Sequence, residues 1–204
     1  MTKLILIRHG ETEWNKRKMF QGHSDVELAP EGVHQAHLLA AHFPVEHVDA
    51  IYSSDLRRAR MTAEIIKDKF GLELKLDARL REANYGTWEE RAFEELALAH
   101  PTEFKTFFLD PDAFTPEGGE KFSDVQTRAM AALNEIANAN PNKVVAVVTH
   151  GGVLRTVIAA ILEMPLRKLW ALKQFNTSVN IFRVDDGNYS VELINSVEHL
   201  HKLR

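Results

Sequence analysis

The 204-residue chain contains no cysteine. That absence removes disulfide frameworks, cysteine-ligated zinc, iron–sulfur clusters and every thiolate nucleophile, and it fits a reducing compartment. Net positive charge is also missing, since 25 Lys plus Arg stand against 29 Asp plus Glu for a formal charge of −4. A dedicated nucleic-acid binder is normally basic, so no nucleic-acid partner is expected. An anionic ligand would have to be drawn by local placement of arginines. Long apolar runs are lacking too. Leu4–Ile7 is four residues long and stops at Arg8, too short for the apolar part of a signal peptide. No later run approaches the roughly 20 residues needed to cross a bilayer. The expectation is a cytoplasmic protein with no membrane partner. Repeats and low-complexity tracts are absent. Of the ten histidines, His34 and His37 share a helix face without further spaced ligands, so neither a metal site nor a cofactor is expected. Those two, with His42, His47, His100, His199 and His201, read as solvated surface residues.

What is present is an α/β pattern. At roughly 150 residues per domain, the chain reads as a single domain over 1–204, able to bury about 70% of its unfolded surface without a covalent staple. Leu4–Ile7 and Val144–Val148 are short, branched, continuously apolar runs, the mark of strands buried on both faces of a parallel sheet. Ala50–Tyr52 and Glu73–Leu76 read as two more. Val179–Val184 and Tyr189–Ile194 flank Asp185-Asp186-Gly187-Asn188, a hairpin signal. Helices are expected at 30–43, opened by Pro30; at 55–70, with a stripe of Leu56, Ala59, Ala63, Ile66 and Phe70; and at 123–139. The last is read as opening on a Ser123-x-x-Gln126 capping box and carries Val125, Ala129, Leu133 and Ile136 on one face. A fourth follows Gly151-Gly152 and runs to about Leu162. The expected architecture is therefore a three-layer α/β sandwich, a mostly parallel sheet flanked by helices, with a C-terminal hairpin. Residues 84–120 break the rhythm and read as a helical excursion over one end of the sheet.

The two most apolar strands end alike, one in Arg8-His9-Gly10 and the other in Thr149-His150-Gly151-Gly152. Ligands of open α/β sheets bind at the carboxyl ends of strands. If these strands are neighbours, two imidazoles face one crevice. The glycines let backbone approach a ligand, and Gly151-Gly152 opens a helix whose N-terminus favours an anion. Three arginines, Arg57, Arg58 and Arg60, sit in the first turn of the next helix, where cations oppose the helix dipole. Arg60 has Glu64 at i+4 and Arg58 has Asp55 at i−3. A bound phosphate would give one of Arg57 and Arg58 a reason to point inward, and spacing alone does not choose between them.

These residues resemble the histidine phosphatase superfamily, which includes the cofactor-dependent phosphoglycerate mutases. The likeness runs from Leu6-Ile7-Arg8-His9-Gly10-Glu11-Thr12-Glu13-Trp14-Asn15 through Gln21-Gly22, Ser53-Ser54-x-Leu56-x-Arg58-Ala59 and Leu80-x-Glu82. It continues with Trp88-Glu89, Gly118-Gly119-Glu120 and Thr149-His150-Gly151. The resemblance implies that His9 attacks phosphorus and becomes a phosphohistidine. It implies that Arg8, Arg58 and His150 surround the phosphoryl oxygens, with Asn15 adding a hydrogen bond, and it selects Arg58 over Arg57. Glu82 would protonate the leaving oxygen and later activate water. Gln21, Gly22, His23 and Gly151 are expected to contact phosphate or substrate, His23 from a loop at the rim. Phosphoryl transfer asks mainly for positioning and for positive groups around three oxygens, which these residues supply without a metal. Other designs are excluded: there is no thiolate, no Asp-x-Asp after a core strand, and no Gly-x-x-x-x-Gly-Lys-Ser/Thr.

Within the family, the mutases carry an insertion after the acid/base region with paired basic residues. Here Glu82-Ala83-Asn84-Tyr85-Gly86 has none, and length and content resemble the bacterial broad-specificity phosphatases. The expected activity is metal-independent hydrolysis of small phosphorylated metabolites with inorganic phosphate as product. A phosphoglycerate mutase is the alternative, and a catalytically silent phospholigand-binding module the second. Phe20, Tyr85, Trp88, Phe104, Phe107 and Phe108 are candidates for an apolar entrance. Monomer and homodimer are both compatible with the sequence.

Overall fold

The two strands that end in His-Gly do lie side by side. In chain order the elements of the computed structural model, which describes residues 1–201, are β1 (Thr2–Arg8), α1 (Glu13–Lys16), α2 (Pro30–Ala41), β2 (Ala50–Ser53), α3 (Arg57–Phe70) and β3 (Leu74–Leu76). They continue with α4 (Phe93–Ala99), α5 (Pro101–Leu109), α6 (Phe122–Ala139), β4 (Val144–Thr149), α7 (Gly151–Ile161), β5 (Val179–Asp185) and β6 (Asn188–Ser196). The last three residues of the expected domain, 202–204, lie outside the described residues. The strands form one sheet in the order β3-β2-β4-β1-β5-β6. The first four are parallel, and β5 and β6 add an antiparallel hairpin.

The layers follow from which way each strand residue points. Leu4, Leu6, Val145 and Val147 share a cluster with Val125, Ala129, Leu133 and Ile136 of α6 and with Val153, Leu154 and Val157 of α7. Ile5, Ile7, Ala146 and Val148 point the other way, against Leu39 of α2 and Ala59, Ala63 and Ile66 of α3. Alternate residues of one strand thus feed opposite layers, which is why the central runs are apolar without a break. The hairpin turns through Asp186 (φ 49°) and Gly187 (φ 76°), the paired positive φ values of a type I′ turn. Among the described residues, no helix is long and apolar enough to cross a membrane.

Several boundaries differ from those expected. Helix α6 begins at Phe122, one residue early, and its N-cap Lys121 makes no side-chain cap, so the Ser123–Gln126 capping box does not form. Phe122 is 1% exposed, and burying its ring extends the helix by a residue. The Ser123 N–H is instead taken by Asp112 Oδ1 at 3.0 Å, and Gln126 Nε2 donates to the Thr156 carbonyl of α7 at 2.8 Å. Asp55 stays outside α3, whose first free N–H, that of Arg57, donates to Asp25 Oδ1 at 2.7 Å. The excursion holds α4 and α5, and its rings close over the sheet end: Phe107 is 1% and Trp88 3% exposed.

Candidate active site

The β1–β4 register pairs Arg8 with Thr149, so the next residue of each strand, His9 and His150, emerges at the same level. Their rings are 5.2 Å apart between centroids. His9 Nδ1 lies 2.7 Å from the Gly10 carbonyl oxygen. A carbonyl only accepts, so Nδ1 carries the hydrogen and Nε2 presents a lone pair. Burial holds the His9 imidazole well below its ordinary pKa, and the charges of Arg58 and Arg8 depress it further. His150 is depressed in the same direction, by burial first and then by Arg58. Its Nε2 pairs with Ser54 Oγ at 2.8 Å.

Arg58 is fully buried and is the inward member of its pair. Its Nη1 and Nη2 donate to the carbonyls of Ser24 and Gly22 at 2.9 and 2.7 Å. Arg57 is exposed and pairs with Glu27. The expected Asp55–Arg58 surface pair does not form, because Asp55 pairs with Arg81 at 2.5 Å. Arg60 does bond Glu64, at 2.8 Å. Arg8 Nη1 donates to the Gln174 carbonyl at 2.6 Å. Burial lowers both Arg8 and Arg58 to about 10, so both stay charged at neutral pH. Four buried side-chain atoms lack a hydrogen-bond partner among the described residues: Arg8 Nε, Arg58 Nε, His150 Nδ1 and Gln21 Oε1. Buried polar atoms are seldom left so, and all four belong to the predicted site residues.

Glu82 follows the 3₁₀ turn Ala78–Leu80. That segment is tied to the end of β4 by Thr149 Oγ1, which donates to the Leu80 carbonyl at 2.7 Å. The carboxylate accepts from the Ala83 N–H and, at 3.0 Å, from the Gly152 N–H. The acceptor seated at the N-terminus of α7 is therefore the Glu82 side chain itself. The Glu82 carbonyl is held by Arg128 Nη2 and by His23 Nε2, both at 2.9 Å.

A cavity of about 400 Å³ joins these groups, a size suited to a small ligand. It is lined by Arg8, His9, Asn15, Gln21, Arg58, Glu82 and Gly151 among the predicted residues. His150 is not on the wall; it is fully buried, its ring beside that of His9. Gly22 and His23 are not on the wall. Gly22 acts through its carbonyl on Arg58, and His23 spends its ring on the Glu82 backbone. Asn15 Oδ1 is occupied by the N–H and hydroxyl of Thr12, which leaves its Nδ2 for the cavity. Of the candidate entrance aromatics, Phe20, Tyr85 and Phe108 line the cavity. Trp88, Phe104 and Phe107 pack behind it as core.

Sequence reasoning missed Lys18, Phe93, Arg155 and Trp170, which also line the cavity. Arg155 had a signal: it is the one charged residue of α7, a helical turn beyond Gly151. It also missed the support behind His9. Thr177, at φ 56°, donates its N–H to the His9 carbonyl at 3.2 Å. His199, expected at the surface, is 5% exposed and bonds Thr177 Oγ1 at 2.9 Å. His100 is half-buried, whereas His34, His37, His42, His47 and His201 are exposed.

Comparison with known proteins finds relatives along nearly the whole chain. A family described as histidine phosphatase superfamily (branch 1) matches residues 4–197. Phosphoglycerate mutase-like protein 4 of Arabidopsis thaliana is 37% identical over 98% of this chain and 87% of its own length. The metal-independent phosphoserine phosphatase of the same plant is 36% identical over 98% of this chain and 84% of its own length. The solved structure of YhfR from Bacillus stearothermophilus superposes with a TM-score of 0.93 at 37% identity, over 98% of this chain and all of that one.

Proposed function

We propose, for a chain that belongs to the histidine phosphatase superfamily (branch 1) and is a phosphoric monoester hydrolase, a metal-independent hydrolysis of small phosphorylated metabolites through a phosphohistidine on His9. The observation that carries the proposal is the bare His9 Nε2 set among Arg8, Arg58 and His150, with Glu82 on the same cavity. Neutral imidazole is what nucleophilic attack requires; burial first and then Arg58 and Arg8 hold His9 neutral, and the two arginines are also the charges a phosphoryl group needs.

In the first step His9 Nε2 forms a bond to phosphorus as the ester P–O bond breaks. Glu82, carrying a proton, gives it to the departing alkoxide. The unpartnered Nε–H groups of Arg8 and Arg58 donate to the non-bridging oxygens. With Ser54 Oγ–H donating to His150 Nε2, the His150 Nδ1–H joins them. In the second step the Glu82 carboxylate takes a proton from water, whose oxygen attacks phosphorus while the P–N bond breaks. Inorganic phosphate leaves and His9 returns to its neutral form. Asn15 Nδ2 and Gln21 line the same wall and add contacts to the phosphate or the leaving group.

The test is hydrolysis of p-nitrophenyl phosphate in excess chelator, with His9→Ala as control and an acid-labile phosphoenzyme sought by rapid quench. Activity that persists with chelator and vanishes in the variant is expected. Loss on chelation, or full activity in His9→Ala, would overturn the mechanism. The name of the mutase-like relative supports a second reading, interconversion of 2- and 3-phosphoglycerate. It requires isomerisation to outrun phosphate release, and the two rates measured side by side decide it. Binding of phosphate without turnover of any ester would mark a silent module instead.

A further inference from the structure

Arg128 on α6 does not line the cavity, yet all of its N–H groups are engaged around the segment that carries Glu82. Nη1 donates to the carbonyls of Arg79 and Arg81 at 2.6 and 2.7 Å, and Nη2 to that of Glu82 at 2.9 Å. Nε and the second Nη2 hydrogen go to Glu120, at 2.7 and 2.9 Å. A guanidinium has five N–H donors, and here each is spent. The carbonyl in between, that of Leu80, is taken by Thr149 Oγ1. Consecutive carbonyls from Arg79 to Glu82 are thus each held by a side chain, across the point where the 3₁₀ turn ends and no strand follows.

Glu120 holds the other side of Glu82. Its N–H donates to the Asn84 carbonyl at 2.9 Å, and its Oε2 accepts from the Asn84 N–H at 3.3 Å. That close approach needs glycines. A Cβ at Gly119 would stand 3.0 Å from the Asn84 carbonyl oxygen and 2.8 Å from that of Pro116, and one at Gly86 would collide with the Glu117 carbonyl. Arg128 and Glu120 therefore bracket Glu82 along the chain, one from Arg79 to Glu82 and the other at Asn84. They are an ion pair, so the bracket fixes the backbone without leaving a net charge beside the acid. It also answers a need of the reaction. Glu82 gives up a proton in one step and takes one in the next. The bonds that its carboxyl group accepts from the Ala83 and Gly152 N–H groups weaken whenever it is protonated. Those to the backbone carbonyls do not depend on that proton.

We propose that Arg128, with Glu120 as its counter-ion, is a positioning residue for the general acid. Its planar fork gathers the Arg79, Arg81 and Glu82 carbonyls and so keeps the Glu82 carboxyl group at the leaving oxygen in both protonation states. A lysine carries its three donors on one point and cannot span the same set. This role, which rests on the phosphohydrolase reading above, also gives a task to Gly118-Gly119-Glu120, which that reading leaves without one.

The test compares glycerol 2-phosphate, whose alkoxide needs a proton to leave, with p-nitrophenyl phosphate, whose phenolate does not. The quantity read is kcat/KM, because it reports phosphorylation of His9 apart from the later hydrolysis. Arg128→Met should lower it for glycerol 2-phosphate by about 100-fold, the cost of a displacement near 1 Å at a reacting group, and for p-nitrophenyl phosphate by less than about 5-fold. Arg128→Lys should show the same split at about 10-fold, and it is the deciding variant if Arg128→Met does not fold. Combination with Glu82→Ala separates positioning from a general structural role. With the acid already absent, adding Arg128→Lys should lower glycerol 2-phosphate hydrolysis by less than about twofold further. Equal losses on the two esters, losses that multiply in the double variant, or wild-type kinetics in Arg128→Lys would each overturn the proposal. Failure of the broader reading looks different: the wild type would not hydrolyse p-nitrophenyl phosphate, or Glu82→Ala alone would leave glycerol 2-phosphate hydrolysis intact.

Discussion

Gly152→Ala isolates the role of Glu82 without touching its chemistry. A Cβ on Gly152 would stand 2.3 Å from Glu82 Oε1 and 3.1 Å from Cδ, with Phe122 Cε1 closing the other side at 3.3 Å. Ordinary contact begins at 3.4 Å, so the carboxylate must retreat by about 1 Å, a displacement that can cost roughly 100-fold in rate at a reacting group. The backbone N–H of residue 152 survives the change. Alanine also suits the first turn of a helix better than glycine, by roughly 0.5–1 kcal/mol, so folding stability should stay within about 1 kcal/mol of wild type. The signature lies in the leaving group. An alkyl phosphate needs a proton on its departing oxygen, whereas p-nitrophenolate leaves as a stabilised anion. We expect kcat for phosphoserine to fall by about 100-fold, within the range for removing a general acid, and kcat for p-nitrophenyl phosphate to fall far less. The assay is steady-state kinetics on both esters, with urea unfolding as the control for stability. Equal losses on both would refute Glu82 as the proton donor, and unchanged kinetics would refute the packing on which the estimate rests.

Glu89 organises the loop that carries Arg58. Its carboxylate accepts from the backbone N–H groups of His23, Ser24 and Tyr85 and from Ser24 Oγ, and the carbonyls of Gly22 and Ser24 in turn hold Arg58. Glu89→Gln should destabilise the fold by about 2 kcal/mol and weaken product inhibition by phosphate several-fold; unchanged inhibition would break the proposed link. Burial lowers His199 to about 4, against about 6.5 in an unfolded chain. As pH falls below 6.5 the unfolded chain takes up a proton that the native chain refuses. Stability should therefore decline from about pH 6.5 to about pH 4 and then level, by up to roughly 3 kcal/mol from this group. His199→Gln should flatten that part of a urea-unfolding profile, and an unaltered slope would contradict the burial argument.

The site was legible where it sits on regular elements. His9 and His150 end the two central strands, and apolar runs that stop at a polar residue and a glycine can be seen in one dimension. Glu82 lies between a 3₁₀ turn and the excursion, where no period exists, and only the likeness of a whole motif series pointed to it. Arg57 and Arg58 are neighbours in a helix with identical chemistry. What separates them is a pair of carbonyls more than thirty residues earlier, a relation that no spacing rule contains. The Ser123 capping box failed because a buried phenylalanine outweighed a local hydrogen bond. His199 was misplaced because its neighbours His201 and Glu198 are polar, and only the return of the C-terminal segment onto Thr177 buries it.

The sheet order places β1 between β4 and β5, and this bears on how the protein is made. Leu4–Ile7 is made well before either of its neighbours, since its parallel partner begins at Val144 and its antiparallel partner at Val179. For most of synthesis the most apolar strand has no neighbour, and native pairing waits on contacts of long sequence separation, which form slowly. The same arrangement makes the cavity a late product of folding: it closes only when β1 and β4 have met. Phosphate should consequently protect the protein against global unfolding rather than local fraying, because the species it binds is the fully assembled one.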